Sequence, residues 1–235
     1  MTQMLLEGRL ALVTGASRGI GAATARAFAA AGAHVILTAR GTAGLEEVEE
    51  QIHAAGGSAT IAPADLSSGE DIAKLASAVS SRWPALDILV LNAAMLGTLT
   101  PVTSIDGKEF NQLLTLNLLA QQALIAGFDP LLRGSSAGRL LAITSSVGQR
   151  PRAYWGAYGA SKAALETLVL AYGEEVENIA PLKVAIIDPG ATATQMRARA
   201  YPGEDQATLK PPESVADGIV ALLAKDFATG ERCRL

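Results

Sequence analysis

The sequence predicts a single α/β domain, spanning residues 1–235, in which helices cover both faces of a doubly wound parallel sheet. Three observations lead to this prediction. Short apolar runs alternate with longer runs rich in Ala and Leu, as strands alternate with helices in such sheets. The first apolar run ends in a glycine-rich turn. A hydrophobic fraction of 49%, with only 4% aromatic residues, supplies one sizeable aliphatic core.

The first unit of the chain is a strand, a glycine-rich turn, a helix and a second strand. Arg9–Thr14 (RLALVT) is a short apolar run, typical of a buried parallel strand. Gly15 begins the turn, the helix Ala22–Ala31 follows and ends at Gly32, and His34–Thr38 forms the second strand. The glycines allow close backbone approach to a ligand, and the helix N-terminus offers free N–H groups. The unit predicts a dinucleotide site; the alternative is a turn that only packs helix on strand.

The rest of the chain continues the alternation to six or seven strands. The predicted helices are Leu45–Ala55, Asp71–Trp83, Lys108–Phe128 with a disturbance near Pro130, Trp155–Asn178 and Pro212–Lys225. The predicted strands are Ser58–Pro63, Leu86–Leu91, Arg139–Thr144, Lys183–Asp188 and a short last strand, Gly230–Leu235. The segment between Thr194 and Lys210 is predicted to be a loop.

The residues that follow the predicted strands are expected to meet at one edge of the sheet. Right-handed crossovers bring the carboxyl ends of parallel strands together, and ligands bind in the crevice there. The residues at these ends are Gly15, Arg40, Asp65, Asn92, Ser145 and Pro189. Their convergence predicts a binding cleft at this edge.

Tyr158 and Lys162 are four positions apart in a predicted helix, so their side chains lie on one face. An ammonium group near a phenol favours the phenolate, so we expect the pKa of Tyr158 to fall from about 10 toward neutrality. A phenol tuned in this way exchanges a proton with a substrate oxygen. The alternative is a helix with one exposed lysine and one packed tyrosine.

Composition and charge exclude several classes of protein. A net charge of −4 argues against nucleic acid or an anionic membrane as the main partner. A single cysteine, Cys233, rules out a disulfide within the chain and favours a reducing cytoplasm. His34 and His53 are far apart with no cysteine nearby, so no metal site is expected. Met1–Gly8 has no signal-peptide pattern, and no apolar run is long enough to span a membrane.

Several motifs, in order, give the chain a close resemblance to the short-chain dehydrogenase/reductase family. They are TGASRGIG at 14–21, Asp65, NAA at 92–94, Asn117, Ser145, YGASK at 158–162 and PGATAT at 189–194. The resemblance covers roughly residues 6–229. It implies a Rossmann fold that binds a nicotinamide dinucleotide, and hydride transfer to or from a carbonyl or alcohol carbon.

The resemblance implies a catalytic tetrad of Asn117, Ser145, Tyr158 and Lys162. Tyr158 looks like the proton donor or acceptor, and Lys162 like the residue that lowers its pKa and holds the nicotinamide ribose. Ser145, rather than the adjacent Ser146, matches the serine that hydrogen-bonds the substrate oxygen. Asn117 matches an asparagine that disturbs its helix and holds a water beside the lysine. A hydroxyl and a tuned phenol directed at one oxygen would stabilise the charge that develops as hydride arrives.

The resemblance also implies which residues bind the cofactor. They lie in the glycine turn, after the strands and beside the tetrad: Gly15, Ser17, Arg18, Gly19, Ile20, Gly21, Arg40, Asp65, Leu66, Asn92, Ala93, Ala94, Tyr158, Lys162, Pro189, Gly190, Thr192 and Thr194. Asp65 is expected to contact the adenine and Pro189–Thr194 to orient the nicotinamide amide. The family usually has Gly where this chain has Ala94, so the backbone is expected to differ slightly there.

The expected cofactor is NADP(H) rather than NAD(H). Sites for NAD usually carry a carboxylate at the end of the second strand. By the resemblance, this chain has Ala39 at that position, followed by Arg40, while Arg18 lies in the glycine turn. A guanidinium binds a phosphate through paired charge-assisted hydrogen bonds, so both arginines are expected to bind the 2′-phosphate. The alternative is that both are solvated surface residues.

The sequence leaves the substrate open beyond a small carbonyl or alcohol. Arg150, Arg152, Arg197 and Arg199 lie near the expected pocket and indicate either an acidic substrate or, more simply, solvated surface arginines. Two other functions compete with hydride transfer. An epimerase or dehydratase on the same fold often has a long C-terminal substrate domain, which is not seen here. A non-catalytic dinucleotide sensor predicts a damaged tetrad, whereas all four positions are intact.

A homodimer or homotetramer is expected from two long helices, Lys108–Phe128 and Trp155–Asn178. Their leucines cannot all face one sheet: Leu113, Leu114, Leu116, Leu118, Leu119, Leu165, Leu168 and Leu170. A helix that is apolar on more than one face needs a second burial partner. The resemblance implies that these helices form a four-helix bundle across a two-fold axis.

Overall fold

A computed structural model describes residues 4–235 and has the predicted doubly wound α/β fold. The strands are β1 Leu10–Thr14, β2 His34–Thr38, β3 Ser58–Ile61, β4 Ile88–Leu91, β5 Gly138–Ile143, β6 Leu182–Asp188 and β7 Glu231–Arg234. They form one parallel sheet in the order β3-β2-β1-β4-β5-β6-β7. The predicted domain start and part of Met1–Gly8 fall on residues 1–3, which lie outside the described residues.

Eight α-helices connect the described strands or flank them. They are α1 Gly19–Ala30, α2 Ala43–Ala54, α3 Gly69–Arg82, α4 Gly107–Leu114, α5 Ala120–Gly134, α6 Gly156–Val176, α7 Gln195–Ala200 and α8 Pro212–Leu223. Short 3-10 turns occupy Val102–Ser104, Ser146–Gly148 and Gln206–Thr208. No helix in the described part of the chain has both the length and the apolarity needed to cross a bilayer.

The core has two halves because successive strand residues point to opposite faces of the sheet. On one face, Leu12 packs in a cluster with residues of α3, α5 and α6, including the fully buried Phe128. On the other face, its neighbour Val13 packs with residues of α1, α2 and α8, including the fully buried Phe28. Burial on both faces explains why the central strands are continuous apolar runs rather than alternating ones.

The predicted helix Lys108–Phe128 differs from the structure in two ways. The prediction of a disturbance near Pro130 is wrong, because α5 continues through Pro130 to Gly134. The buried side chains on either side, Phe128 and Leu131, fix this turn in the core and offset the hydrogen bond that proline cannot donate. The helix is distorted instead at Thr115–Leu119, which forms one π-helical turn between α4 and α5. This turn contains Asn117, so the disturbance that the resemblance implied at Asn117 is confirmed.

The predicted loop between Thr194 and Lys210 contains a short helix, α7, so that prediction is wrong over Gln195–Ala200. The Thr194 hydroxyl caps this helix by accepting a hydrogen bond from the Arg197 N–H at 3.1 Å. A cap residue followed by a polar run without helical periodicity is a weak signal in sequence. Thr194, the residue before this helix, lines the cleft that is described below.

Candidate active site

The glycine-rich turn between β1 and α1 is too tight for side chains at two of its glycines. A Cβ atom at Gly21 would overlap the carbonyl oxygen of Gly15, and one at Gly15 would come within 2.9 Å of the Asn92 amide nitrogen. Gly15 also has a φ of 65°, a left-handed conformation that favours glycine. The turn therefore leaves the N-terminus of α1 open to a phosphate group.

Asn92 fastens the end of β4 to the same turn. Its side-chain amide donates to the carbonyl oxygen of Thr14 at 2.7 Å. The Thr14 hydroxyl in turn accepts hydrogen bonds from the backbone N–H groups of Asn92 and Ala93, at 2.8 and 3.0 Å. Thr14 is fully buried and was missed as a site residue, although its position directly before the first glycine is a usable signal. These bonds shape the floor of the site.

A cleft of about 1770 Å³ runs along the carboxyl edge of the sheet from the glycine turn to α6. Most of the predicted site residues line it: Gly15, Ser17, Arg18, Gly19, Ile20, Arg40, Leu66, Asn92, Ala93, Ala94, Ser145, Tyr158, Lys162, Pro189, Gly190, Thr192 and Thr194. Pockets for one small ligand usually measure about 300–1,000 Å³. This cleft therefore has room for a dinucleotide together with a second small molecule.

Three predicted site residues do not line the cleft. Gly21 lies beneath Gly15 and serves close packing of the turn. Asp65 is exposed, and its carboxylate accepts a hydrogen bond from the Ser67 N–H at 2.9 Å, so the chain turns and Ser67 lines the cleft instead. Asn117 is fully buried behind the cleft wall.

Asn117 lies in the π-helical turn, and its side chain is bonded to its surroundings on both sides. Its oxygen accepts from the Met95 N–H at 2.8 Å, and its nitrogen donates to the Met95 carbonyl at 2.9 Å. The same nitrogen donates to the Ser161 hydroxyl at 3.1 Å. Asn117 therefore joins the loop after β4 to α6 between Tyr158 and Lys162. A π turn at a functional site is a common use of this distortion.

Ser145 follows β5 and begins the 3-10 turn Ser146–Gly148. It is half-buried and lines the cleft, whereas the adjacent Ser146 does not. Its hydroxyl accepts only a long hydrogen bond, 3.5 Å, from the Val147 N–H. The Ser145 hydroxyl is therefore free to turn toward a ligand, and its position depends on the backbone around it.

Tyr158 and Lys162 lie on one face of α6, as their spacing predicts, and both are buried. The Lys162 ammonium lies 5.8 Å from the centre of the Tyr158 ring and donates to the carbonyl oxygen of Ile143 at 2.8 Å. The Tyr158 hydroxyl has a weak contact, 3.9 Å, with the Met196 sulfur. The two side chains therefore line the cleft next to each other, with Lys162 bonded to the end of β5 and Tyr158 in contact with α7.

The predicted fall in the pKa of Tyr158 is wrong for this structure. Burial raises the pKa of the phenol, with a further increase from the negative charge of Asp188. Burial also lowers the pKa of Lys162 to about 8, against a smaller opposite effect of Glu166. The low dielectric of the interior disfavours both charged forms, and the ammonium group is directed at Ile143 rather than at the phenol oxygen.

The lowered pKa of Lys162 predicts a measurable dependence of stability on pH. Between about pH 8 and 10.5 the native state has released the lysine proton while the unfolded chain still holds it. Stability therefore rises with pH in this window, by up to about 1.4 kcal/mol per pH unit. The measurement is the difference in free energy of unfolding between the ligand-free protein and its Lys162→Met variant. If this difference in free energy of unfolding did not change with pH between about 8 and 10.5, the lowered pKa of Lys162 would be contradicted.

The turn after β6 forms the opposite wall of the cleft. Gly190 has a φ of 60°, and its N–H donates to the Asp188 carboxylate at 3.0 Å. The Thr192 hydroxyl donates to the Pro189 carbonyl at 2.9 Å. The position of a Cβ at Gly19 would be 3.6 Å from the Thr194 methyl group, so this wall lies directly opposite the glycine turn.

The two arginines expected to read a 2′-phosphate both line the cleft and are exposed. Arg40 follows Ala39, which also lines the cleft, so no carboxylate stands at that position. Arg18 donates to the side-chain oxygen of Gln195 at 2.9 Å and thus bridges the glycine turn and α7. Gln195 was not predicted as a site residue, because only the tertiary structure brings α7 to the turn.

The region over Tyr158 is mostly apolar. Met95, Leu96, Trp155 and Met196 pack around the tyrosine. Of the four arginines considered earlier, Arg150 and Arg152 do not line the cleft.

Arg197 lines the cleft, but a bidentate ion pair with Glu204 neutralises its charge, and its guanidinium stacks over Tyr201 at 3.8 Å. Arg199 also lines the cleft and is exposed, so two of the four arginines reach the cleft and one of these two is paired with Glu204. The polar face of α4, including Lys108, Asn111 and Gln112, also lines the cleft. It was missed because no sequence motif marks it.

A doubly wound sheet with a tight glycine turn at its first crossover defines the Rossmann class of nucleotide-binding folds. Within that class, this chain belongs to the short chain dehydrogenase family, whose model matches residues 9–205. The chain is 36% identical over 227 residues to the uncharacterized oxidoreductase YciK of Escherichia coli K12, covering 95% of this chain and 89% of that protein.

Solved structures show the same fold along the whole chain. A short chain dehydrogenase from Salmonella enterica serovar Typhi has a TM-score of 0.95 at 35% identity, covering 100% of this chain and 98% of the other. A protein from Escherichia coli CFT073, complexed with NADPH, has a TM-score of 0.94 at 36% identity, covering 100% and 99%. This chain is thus an oxidoreductase of the short chain dehydrogenase family.

Proposed function

We propose that this protein transfers a hydride between NADP(H) and the carbonyl or alcohol carbon of a small substrate, with Tyr158 as proton donor or acceptor. The observation that carries the proposal is that Ser145, Tyr158 and Lys162 line the same cleft as the glycine turn. When bound, the nicotinamide cofactor supplies the redox chemistry. The chain itself must orient the substrate oxygen, exclude water and move one proton.

The chain's own residues fit a dinucleotide phosphate. The glycine turn has no room for side chains at Gly15 and Gly21, and it leaves the first N–H groups of α1 accessible from the cleft. Arg18 and Arg40 add positive charge beside this turn, where Ala39 presents no carboxylate. The complex of the similar Escherichia coli CFT073 protein with NADPH supports the same cofactor here.

Each of the other predicted cofactor residues is proposed to contact the part of the cofactor that lies nearest to it in the cleft. Ser17, Gly19 and Ile20 surround the phosphates, and Leu66 and Asn92–Ala94 border the adenosine half. Pro189, Gly190, Thr192 and Thr194 hold the nicotinamide half with Lys162. Asp65 is expected to act on the adenine through the loop that it stabilises, since its carboxylate is bonded to Ser67.

Ser145 and Tyr158 are proposed to direct two hydroxyl groups at one substrate oxygen. The raised pKa of the buried Tyr158 keeps its phenol protonated at neutral pH, which suits a proton donor in carbonyl reduction. Lys162 is proposed to orient the cofactor ribose and to replace the proton that Tyr158 gives up. Asn117 is proposed to hold α6 in place near Tyr158 and Lys162 through its hydrogen bonds to Met95 and Ser161.

We propose that the protein acts in the cytoplasm, as one domain over residues 1–235. Its only cysteine, Cys233, is free, which suits a reducing compartment. The net charge of −4 does not favour nucleic acid or an anionic membrane as a partner. The proposed partners are therefore a small carbonyl or alcohol and further copies of the chain.

We expect the protein to form a homodimer or homotetramer through α4, α5 and α6. Leu119 is 59% exposed between α4 and α5, and Leu114, Leu118 and Leu168 are only half-buried. Light scattering at micromolar concentration should give at least twice the chain mass of 24.1 kDa. Leu119→Glu should shift the particle to lower mass, whereas the exposed Leu5→Glu control should not. A wild-type particle of single-chain mass would contradict this expectation.

The proposed function is tested by an NADPH-consumption screen over ketones, aldehydes, quinones and 3-ketoacyl thioesters. The proposal expects turnover with members of at least one carbonyl class, faster with NADPH than with NADH. Tight NADPH binding without consumption would favour the non-catalytic sensor. Isomerised or dehydrated products at constant NADPH would favour an epimerase or dehydratase.

A further inference from the structure

Glu166 is a buried carboxylate to which neither the motifs nor the proposed chemistry assigns a role. It lies on α6 one helical turn after Lys162, and it is only 3% exposed. Burying a carboxylate is costly unless it is paired and hydrogen-bonded. The contacts that Glu166 makes therefore indicate what it does.

Both carboxylate oxygens of Glu166 bind the segment that carries Ser145. One oxygen accepts a hydrogen bond of 2.6 Å from the Thr144 hydroxyl, directly before Ser145. The other accepts a hydrogen bond of 3.2 Å from the Gln149 side-chain amide, directly after the 3-10 turn. One side chain thus holds both ends of the segment Thr144–Gln149.

The segment is also pressed against α6 between these two bonds. A Cβ atom at Gly148 would lie 3.2 Å from the backbone of Lys162 and 3.3 Å from a Glu166 oxygen. The Lys162 ammonium donates a hydrogen bond to the carbonyl oxygen of Ile143, the residue directly before Thr144. Because the Ser145 hydroxyl has only the 3.5 Å bond to Val147, its position follows from these anchors.

A positive charge from the last strand completes the arrangement. Arg232 on β7 forms an ion pair with the Glu166 oxygen that also binds Gln149. The Glu166 side chain is 4% exposed and that of Arg232 is 42% exposed, so the guanidinium closes the outer side of the buried carboxylate. Glu166 thus has one cation on its own helix, Lys162, and a second cation on β7, Arg232.

We propose that Glu166 is a positioning residue that holds Thr144–Gln149 against α6 and thereby fixes the Ser145 hydroxyl relative to Tyr158. The inference rests on the proposed role of Ser145 in hydride transfer. It adds an acid on the tetrad's own helix face, since Tyr158, Lys162 and Glu166 follow one another at intervals of four.

A double-mutant cycle tests whether this anchor acts through Ser145. Thr144→Val removes one hydroxyl without changing the charge of the site. We expect it to lower kcat by about tenfold, because small displacements of catalytic groups are costly, while KM for NADPH stays within about twofold. In a Ser145→Ala background the same substitution should lower kcat by less than about twofold, since coupled residues are not additive. Equal losses in both backgrounds, or no loss in either, would overturn the proposal.

Amide hydrogen exchange gives a second measurement that needs no substrate. In Thr144→Val and in Glu166→Gln we expect the amides of Val147, Gly148 and Gln149 to exchange at least about tenfold faster than in the wild type, through local opening. The matched control is Thr167→Val, an exposed threonine on the same helix, which should change neither exchange nor kcat. Unchanged exchange in both Thr144→Val and Glu166→Gln would also overturn the proposal.

The two proposals fail in different ways. A wild-type protein that oxidises no NADPH with any carbonyl would overturn the proposed function and this inference together. An active wild type whose Thr144→Val variant keeps the same kcat and the same exchange would overturn this inference alone.

Discussion

Tyr158→Phe is expected to lower turnover by about a hundred- to ten-thousand-fold, the range attributed to general acid–base catalysis. The substitution removes only the hydroxyl, whose one hydrogen-bonding contact among the described residues is the weak 3.9 Å approach to the Met196 sulfur. The ring remains packed beside Trp155 at 5.9 Å, so folding should be unaffected. Steady-state kinetics with NADPH and the best substrate of the screen provide the measurement.

The control for Tyr158→Phe is cofactor affinity. The dissociation constant for NADPH should stay within about twofold, because losing an interaction made only in the transition state lowers kcat and leaves ground-state binding intact. Lys162→Ala should instead weaken binding and turnover together, since its ammonium is proposed to serve both. Retention of more than about a tenth of wild-type turnover by Tyr158→Phe would rule out this tyrosine as the proton donor.

A reversal of cofactor preference is the second large effect that we expect. The wild type should prefer NADPH over NADH by at least about tenfold in kcat/KM, or roughly 1.4 kcal/mol. Ala39→Asp combined with Arg40→Ala should reverse this preference, mainly by raising KM for NADPH. The new carboxylate would accept hydrogen bonds from the ribose hydroxyl and repel a 2′-phosphate. The measurement is kcat/KM with each cofactor.

A matched control separates phosphate recognition from a general change in charge. Arg152→Ala also removes an exposed arginine, but Arg152 does not line the cleft, so the preference should not change. Arg18→Ala should weaken NADPH binding as well, and it also breaks the bond to Gln195. Equal kcat/KM for both cofactors in the wild type would show that the arginines do not read the phosphate.

The fold and most of the cleft could be predicted because they depend on local patterns. Buried parallel strands require apolar runs such as Leu10–Thr14, and the tight turn requires glycine at Gly15 and Gly21. Parallel strands then bring their carboxyl ends to one edge, so the residues that follow them largely meet there. Asn92 and Ser145, which come just after β4 and β5, line the same cleft for this reason.

Other features could not be predicted because they depend on contacts distant in sequence. α5 passes Pro130 because Phe128 and Leu131 are buried in the core. The family resemblance implies the distortion at Asn117, but its π-helical form depends on the bonds between Asn117 and Met95. The direction of the Tyr158 pKa shift follows from burial, which the spacing to Lys162 does not reveal.

The Glu166 anchor is a further example. It joins α6 to the end of β5 and to Arg232 on β7, two strands that are far apart in sequence and that the folded sheet places on either side of β6. A glutamate one turn after Lys162 looks like an ordinary exposed helix residue in sequence. Its burial is what distinguishes it.

The most direct test of hydride transfer uses NADPH that carries deuterium at the transferable position of its nicotinamide ring. Wild-type protein is mixed with a carbonyl substrate from the screen, and the alcohol product is analysed by mass spectrometry. The proposed function predicts one deuterium on the former carbonyl carbon, with product formation nearly abolished in Tyr158→Phe. NADPH that binds but is never consumed, or an alcohol product without deuterium, would contradict it.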